Sequence, residues 1–196
     1  MFLGKYEGEY SDVTEENKTN MSTLYAAYNK KTQKECFLKV ISKENLKKMD
    51  YDFLLERLKQ EEEIQKKCNS DNTVNLYRKL ETENHIILEL EYFDDNLDNY
   101  LQSNGELENE KKFFKQIVLD LAKALKTIHS KGIMHRDIKP ANIYIKKLDD
   151  NKRIIKLGDF GCSIYIKNNI SDSIGSILYS APEMVQDLEY DEKLDL

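Results

Sequence analysis

The sequence His135-Arg136-Asp137-Ile138-Lys139-Pro140-Ala141-Asn142, followed by Asp159-Phe160-Gly161, decides how the rest of the chain is interpreted. The first stretch combines a carboxylate, cations and an amide with a proline, which does not continue a helix, so we expect it to form a loop. A helical pattern ends at residues 128–134, and the apolar run at 143–145 predicts a strand. Converging polar groups on a loop held between rigid elements are typical of a catalytic site.

These two stretches resemble the catalytic loop and the metal-binding triplet of eukaryotic protein kinases, and Ala181-Pro182-Glu183 resembles the third signature of that family in its expected order. Lys139, two residues after Asp137, resembles the serine/threonine branch. The resemblance implies an α+β, two-lobed fold, in which an N-lobe antiparallel sheet with one helix precedes a partial, mainly helical C-lobe.

The resemblance also implies the domain boundaries. We expect a mobile lead-in over residues 1–9, the N-lobe and hinge over 10–93, and a partial C-lobe over 94–196 that ends at the start of the central helix. The family continues beyond that point, so we expect either a C-terminally truncated sequence or a partner that supplies the missing layer of helices.

Composition restricts the class of protein. The chain has 196 residues, of which 40% are hydrophobic and 34% charged, a balance typical of a soluble globular domain. Its net charge of -6 does not favour a nucleic-acid or membrane-surface partner, and no apolar run approaches the roughly 20 residues that span a bilayer. We therefore expect a cytoplasmic protein with reduced cysteines, while the oligomeric state stays open.

Two patterns in the N-lobe place a lysine and a glutamate. In the strand over residues 36–41, period-two alternation puts Phe37, Lys39 and Ile41 on one face. Residues 44–68 are predicted to be helical in two pieces, and Glu61 interrupts the apolar face. A carboxylate on a buried face requires a cation, and the resemblance supplies Lys39.

The resemblance implies ATP and Mg²⁺ as cofactors and a protein serine or threonine as substrate. By the resemblance, the polar catalytic positions of the family are all filled: Lys39, Glu61, Asp137, Lys139, Asn142 and Asp159. By resemblance, the catalytic residues are Asp137, Lys139 and Asn142, and Asn142 and Asp159 are the metal ligands. Lys39, oriented by Glu61, holds the α and β phosphates, since phosphoryl transfer depends on positioning and charge neutralisation.

The resemblance assigns the nucleotide pocket to a further set of residues: Leu24, Phe37, Leu90, Glu91, Phe93 and Tyr144. The backbones of Glu91 and Phe93 would hydrogen-bond the adenine edge. Phe37 and Tyr144 stand where the family usually has alanine and leucine, so their rings either sandwich the purine or fill its site.

The phosphate loop departs from the family, because Asn17, Thr19 and Ser22 occupy its three glycine places. A left-handed backbone costs a non-glycine residue about 1–2 kcal/mol, so we expect weak nucleotide binding. We predict an ATP-dependent serine/threonine protein kinase, and the alternative is a pseudokinase or scaffold that binds protein partners without catalysis.

The resemblance also predicts regulation and support of the loop. Arg136 would bind a phosphate on the activation segment, for which Ser171 and Ser173 are candidates; an unregulated polar loop is the alternative. Asp195 would hydrogen-bond the backbone near His135 and Arg136.

Overall fold

The structure is a computed structural model that describes residues 2–48, 50–104, 111–149, 152–166, 175–186 and 188–196. It divides into two compact units. The first comprises Met1–Lys66 and Asn75–Tyr92, and the second comprises Lys67–Val74 and Phe93–Leu196. The α+β expectation is confirmed.

The first unit is built on a five-stranded sheet in the order β1-β2-β3-β5-β4, with all neighbours antiparallel. Its strands are β1 (Tyr10–Lys18), β2 (Ser22–Asn29), β3 (Lys34–Ser42), β4 (Leu76–Glu81) and β5 (His85–Glu91). The β2–β3 turn begins at Asn29, whose Oδ1 accepts the N–H groups of Lys31 and Thr32 at 2.9 and 3.1 Å. An asparagine side chain that bonds the backbone two residues ahead favours such a turn.

The register gives the sheet two distinct faces. Leu24 pairs with Lys39, and Phe37 pairs with Leu90, so these four side chains lie on one face. The opposite face carries a buried apolar cluster: Leu3, Tyr10, Ala27, Cys36, Leu38, Val40, Leu80 and Ile87. The predicted alternation around Lys39 is confirmed.

Two helices follow β3, as predicted: α1 (Lys43–Lys47) and α2 (Tyr51–Cys68). The Ser42 Oγ accepts the Asn45 N–H at the start of α1, and Asp50 Oδ1 accepts the Phe53 N–H at 3.1 Å at the start of α2. Leucines of α2 pack against the cluster of Ile41, Leu46 and Ile86.

The first residues differ from the mobile lead-in that the sequence predicted. Gly4–Glu9 forms a 3-10 helix, and Leu3 is buried in the sheet's apolar cluster. Glu9 bonds Arg78 at 2.8 Å, and Arg78 in turn bonds the buried Glu89 at 2.6 Å. These contacts join residues far apart in sequence, so no local pattern indicated them.

The second unit has a buried core between helices and a small sheet. Its helices are α3 (Leu97–Asn104), α4 (Lys111–His129) and α5 (Pro182–Val185), and its strands are β6 (Asp95–Asn96), β7 (Ile133–Met134), β8 (Ile143–Asp149), β9 (Lys152–Leu157) and β10 (Ile164–Tyr165). The core includes Leu97, Phe113, Ile117, Ile143, Ile145 and Ile155. Gly132, with φ +67°, follows α4, in the region where the sequence predicted the helical pattern to end. In the described ranges, no helix is both long enough and apolar enough to cross a bilayer.

The segment Lys67–Val74 lies in the second unit, although the sequence boundary of 10–93 placed it in the first. The reason is a set of backbone hydrogen bonds to the end of β9. Val74 N–H donates to Leu157 O at 2.8 Å, and Leu157 N–H donates to Asn72 O at 2.9 Å. Accordingly β4 begins only at Leu76, beyond this segment.

Candidate active site

In the first unit, the predicted lysine–glutamate pair is formed. Lys39 Nζ lies 2.6 Å from Glu61 Oε1, and their side chains are 19% and 8% exposed. Lys39 comes from the middle of β3 and Glu61 from the buried face of α2, where Ile64 is fully buried one turn on. The pair therefore holds an ammonium group on the Leu24–Phe37–Leu90 face of the sheet.

The same face presents three of the residues predicted for the nucleotide pocket, namely Leu24, Phe37 and Leu90. Phe37 is buried, and its ring centroid lies 4.9 Å from that of Tyr92. Glu91 N–H donates to Asn75 O at 2.9 Å, and the Asn75 amide donates to Glu91 Oε2 at the same distance. These bonds fix the end of β5, whose neighbour Leu90 faces Phe37 across the strands.

The turn over residues 17–22, which stands in the place of the family's glycine-rich loop, lacks the backbone strain that the sequence predicted. Among the described residues, the non-glycine positive φ angles belong to Asp12, Gln33, Arg136 and Asp159. The turn residues 17–22 are therefore free of left-handed backbone, and the expected strain of about 1–2 kcal/mol per residue does not arise.

In the second unit, the three predicted catalytic side chains meet. Asp137 Oδ2 accepts from the Asn142 amide at 2.9 Å and pairs with Lys139 Nζ at 2.8 Å. Asp137 Oδ1 accepts the Ser176 N–H at 3.0 Å, and Lys139 Nζ also bonds Ser176 Oγ at 2.7 Å. The carboxylate is thus oriented on both oxygens.

His135 lies within this loop and is fully buried. Asp137 N–H donates to His135 Nδ1 at 3.3 Å, so the ring proton is assigned to Nε2, which lies 3.0 Å from Gly158 O. Burial lowers the pKa of His135 below its usual value, with nearby carboxylates opposing that shift. Its ring packs edge-on to Phe160 at 5.1 Å.

The loop backbone is anchored by Asp195, as predicted. Asp195 Oδ2 accepts the His135 N–H and Oδ1 accepts the Arg136 N–H, each at 2.8 Å. Arg136 has φ +67°, a conformation that costs a non-glycine residue about 1–2 kcal/mol, so these bonds offset local strain. His129 Nε2 also lies 2.8 Å from Asp195 Oδ2, a contact that the sequence did not indicate.

The side chains of Asn142 and Asp159 have the chemistry that Mg²⁺ requires of its ligands. The Asn142 amide nitrogen bonds both Asp137 O and Asp137 Oδ2, which directs its Oδ1 away from that residue. Asp159 supplies an exposed carboxylate at φ +59°. No group of three or more His, Cys, Asp and Glu residues suited to a metal occurs in the described part of the chain. Mg²⁺ commonly uses one or two protein oxygens with phosphates and water, and both residues offer oxygen donors of that kind.

Gly158 is a residue of the site that sequence reasoning missed. A Cβ there would lie 2.7 Å from Val74 Cγ2 and 2.8 Å from Tyr144 Cε2. Tyr144 is itself held by Phe93, with ring centroids 5.7 Å apart. The sequence signal that could have found it is the glycine directly before Asp159. The structural reason is that the packed ring of Tyr144 leaves no room for a side chain there.

The activation segment is described in part. The candidate phosphosites Ser171 and Ser173, with Asp172 between them, lie outside the described residues. Arg136 donates from Nε to Cys162 O and from Nη1 to the Tyr190 hydroxyl, each at 2.8 Å. Its predicted role as a phosphate site stays a prediction.

The cysteines are free, as expected. Burial raises the pKa of the Cys36 thiol to about 12 and that of Cys68 to about 11. Neither group is therefore a reactive thiolate near neutral pH.

The first unit has an antiparallel sheet that carries a lysine–glutamate pair. The second unit has an oriented aspartate, a lysine and an asparagine on one loop. These features are those of a protein kinase domain. The protein kinase domain family matches residues 18–196, and the chain belongs to that family.

Individual relatives agree with this assignment. Human serine/threonine-protein kinase ULK1 is 34% identical over 204 residues, which cover 99% of this chain and 18% of that protein. Serine/threonine-protein kinase unc-51 of Caenorhabditis elegans is 33% identical over 171 residues, covering 81% of this chain and 19% of the relative. An Aurora kinase of Saccharomyces cerevisiae is 33% identical over 181 residues, covering 91% and 47%. The chain thus spans less than half the length of these relatives.

Proposed function

We propose that this chain carries the catalytic machinery of an ATP-dependent serine/threonine protein kinase, which transfers the γ-phosphoryl group of Mg-ATP to a protein hydroxyl. The observation that carries the proposal is the orientation of Asp137 by Lys139, Asn142 and the Ser176 N–H. A carboxylate held on both oxygens beside an ammonium group suits acceptance of a hydroxyl proton while charge develops nearby.

The roles of the second unit's residues follow from their contacts. Asp137 accepts the proton of the substrate hydroxyl, and Lys139 neutralises charge on the transferring phosphoryl group. Asn142 Oδ1 and the Asp159 carboxylate would hold Mg²⁺, which neutralises phosphate charge when bound. His135 keeps the loop and the Asp159 segment in place through Asp137 N–H and Gly158 O, and it takes no proton itself.

The first unit's residues bind the nucleotide. Lys39 would pair with the α and β phosphates, and Glu61 keeps its ammonium group on the sheet face at 2.6 Å. Leu24, Phe37 and Leu90 would contact the purine, because they share that face.

Serine or threonine as the acceptor is supported by Lys139 and by the relatives, two of which are described as serine/threonine-protein kinases. A scaffold without catalysis finds no specific support among the described residues or the relatives reported above. Cytoplasmic location, and the absence of nucleic-acid and membrane partners, stay predictions.

The test is phosphorylation of a generic basic protein by the purified protein with Mg-[γ-³²P]ATP. Asp137→Asn keeps the side-chain shape but removes the proton acceptor, and the rate should fall about 100- to 10,000-fold. Asp71→Asn, an exposed aspartate, is the matched control and should leave the rate unchanged. Equal rates for Asp137→Asn and the parent would refute the proposal, as would failure of the parent to bind Mg-ATP by calorimetry.

A further inference from the structure

The turn between β1 and β2 has an unusual hydrogen-bond pattern. Lys18 pairs with Thr23, and Thr19 N–H donates to Ser22 O at 2.8 Å, which leaves Asn20 and Met21 as a two-residue connection. Two-residue hairpin turns usually need positive φ at one or both central residues. Neither Asn20 nor Met21 has positive φ, so a different device must close this turn.

That device is the hydroxyl of Thr19. Its Oγ1 accepts the Ser22 N–H at 3.1 Å and the Met21 N–H at 3.3 Å, and it donates to Ser22 O at 3.1 Å. One side-chain oxygen therefore engages two consecutive backbone N–H groups. Met21 also packs against the Ile41–Leu46–Ile86 cluster, which ties the turn to the sheet.

Consecutive backbone N–H groups in a turn form a concavity that binds anions, and protein kinases cover nucleotide phosphates with such a loop. In this chain the concavity already contains an oxygen. A phosphate could engage these N–H groups only by displacing the Thr19 hydroxyl and breaking its bonds.

We propose that the Thr19 hydroxyl occupies the phosphate position of the turn and thereby weakens the contact of this turn with nucleotide phosphates. This inference rests on the proposed kinase function. The sequence analysis attributed weak nucleotide binding to strain in the turn backbone. Here the cause is the Thr19 hydroxyl oxygen, which competes with phosphate for the same N–H groups.

The experiment removes the hydroxyl oxygen of Thr19 and keeps the shape of its side chain. Thr19→Val frees both N–H groups, whereas Thr19→Ser retains a hydroxyl and is the matched control. Two hydrogen bonds of ordinary net strength correspond to a decrease of about 5- to 150-fold in the Kd for Mg-ATP in Thr19→Val. Calorimetry should show that decrease, the KM for ATP should fall with it, and kcat should stay constant. Thr19→Gly, which also lacks the hydroxyl, should behave like Thr19→Val.

Amide hydrogen exchange gives a readout that does not depend on nucleotide. Without ATP, Met21 and Ser22 N–H should exchange faster in Thr19→Val than in Thr19→Ser. An unchanged or raised Kd in both Thr19→Val and Thr19→Gly, with the parent binding ATP, would overturn this inference and leave the proposed function intact. Failure of the parent and of all three variants to bind Mg-ATP would instead refute the kinase function itself.

Discussion

Replacing Lys39 by methionine should destabilise the first unit because it leaves the Glu61 carboxylate without its ammonium partner. Glu61 Oε1 lies 2.6 Å from Lys39 Nζ, and the glutamate side chain is 8% exposed. Methionine has a similar stem without the charge, so the substitution strands a carboxylate on the buried face of α2. The loss should appear in stability as well as in activity.

The magnitude follows from the exposure of the two groups. Breaking a fully buried pair by removing one partner costs about 3–5 kcal/mol. Because the Lys39 side chain is 19% exposed, water can partly solvate the remaining carboxylate, and we expect a loss of about 2–3 kcal/mol. For a chain of this size that corresponds to a fall in Tm of about 4–12 °C.

The assay is thermal and urea unfolding of four proteins: the parent, Lys39→Met, Glu61→Leu and the double variant. Replacing both partners removes the stranded charge, so the double variant should regain most of the stability lost in Lys39→Met. The control is Lys48→Met, which breaks an equally short pair with Glu44 at 2.7 Å on the surface, where the side chains are 66% and 75% exposed. That change should cost less than about 1 kcal/mol.

A double variant no more stable than Lys39→Met would refute the reasoning, because the loss would then come from packing of the lysine stem. Equal losses in Lys39→Met and Lys48→Met would also refute it, because burial would then make no difference to the pair.

Two further predictions concern the second unit. Burial holds the folded-state pKa of His135 below the unfolded value of 6.5, so the unfolded chain binds the proton first as pH falls, and unfolding free energy should decrease below pH 6.5 by up to about 1.4 kcal/mol per pH unit. Urea titrations at pH 7.5 and 5.5 measure this slope, and an undiminished slope in His135→Asn would contradict the assignment. Gly158→Ala places a methyl group 2.7 Å from Val74 Cγ2 and should cost about 1–3 kcal/mol. Gly8→Ala, with no atom within 4 Å of the added Cβ, is its control, and identical melting curves for the two variants would contradict the predicted clash with Val74.

The candidate site could largely be located from sequence, because its residues lie in local patterns. Period-two alternation around Lys39 and the helical stripe through Glu61 each determine a face, and the short interval from Asp137 to Asn142 confines three side chains to one loop. Their pairing at 2.6–2.9 Å then follows from opposite charge and hydrogen bonding.

Contacts between distant parts of the chain could not be predicted in this way. Three features join residues that are too far apart for any helical or strand periodicity to connect them. They are the burial of Leu3, the ion pairs of Arg78 with Glu9 and Glu89, and the hydrogen bonds of Asn72 and Val74 to β9. Such contacts depend on the folded chain and leave no local pattern in the sequence.

The sequence by itself determined the family, the faces of the strands and helices, and the charged residues that the chemistry requires. The tertiary structure alone decided which ring nitrogen of His135 carries the proton, why no side chain fits at Gly158, and where the Thr19 hydroxyl points. The physical reason is that residue type and spacing determine the charge of a side chain and the face of the helix or strand on which it lies. Hydrogen-bond partners and the space around a side chain depend instead on atoms that folding brings together.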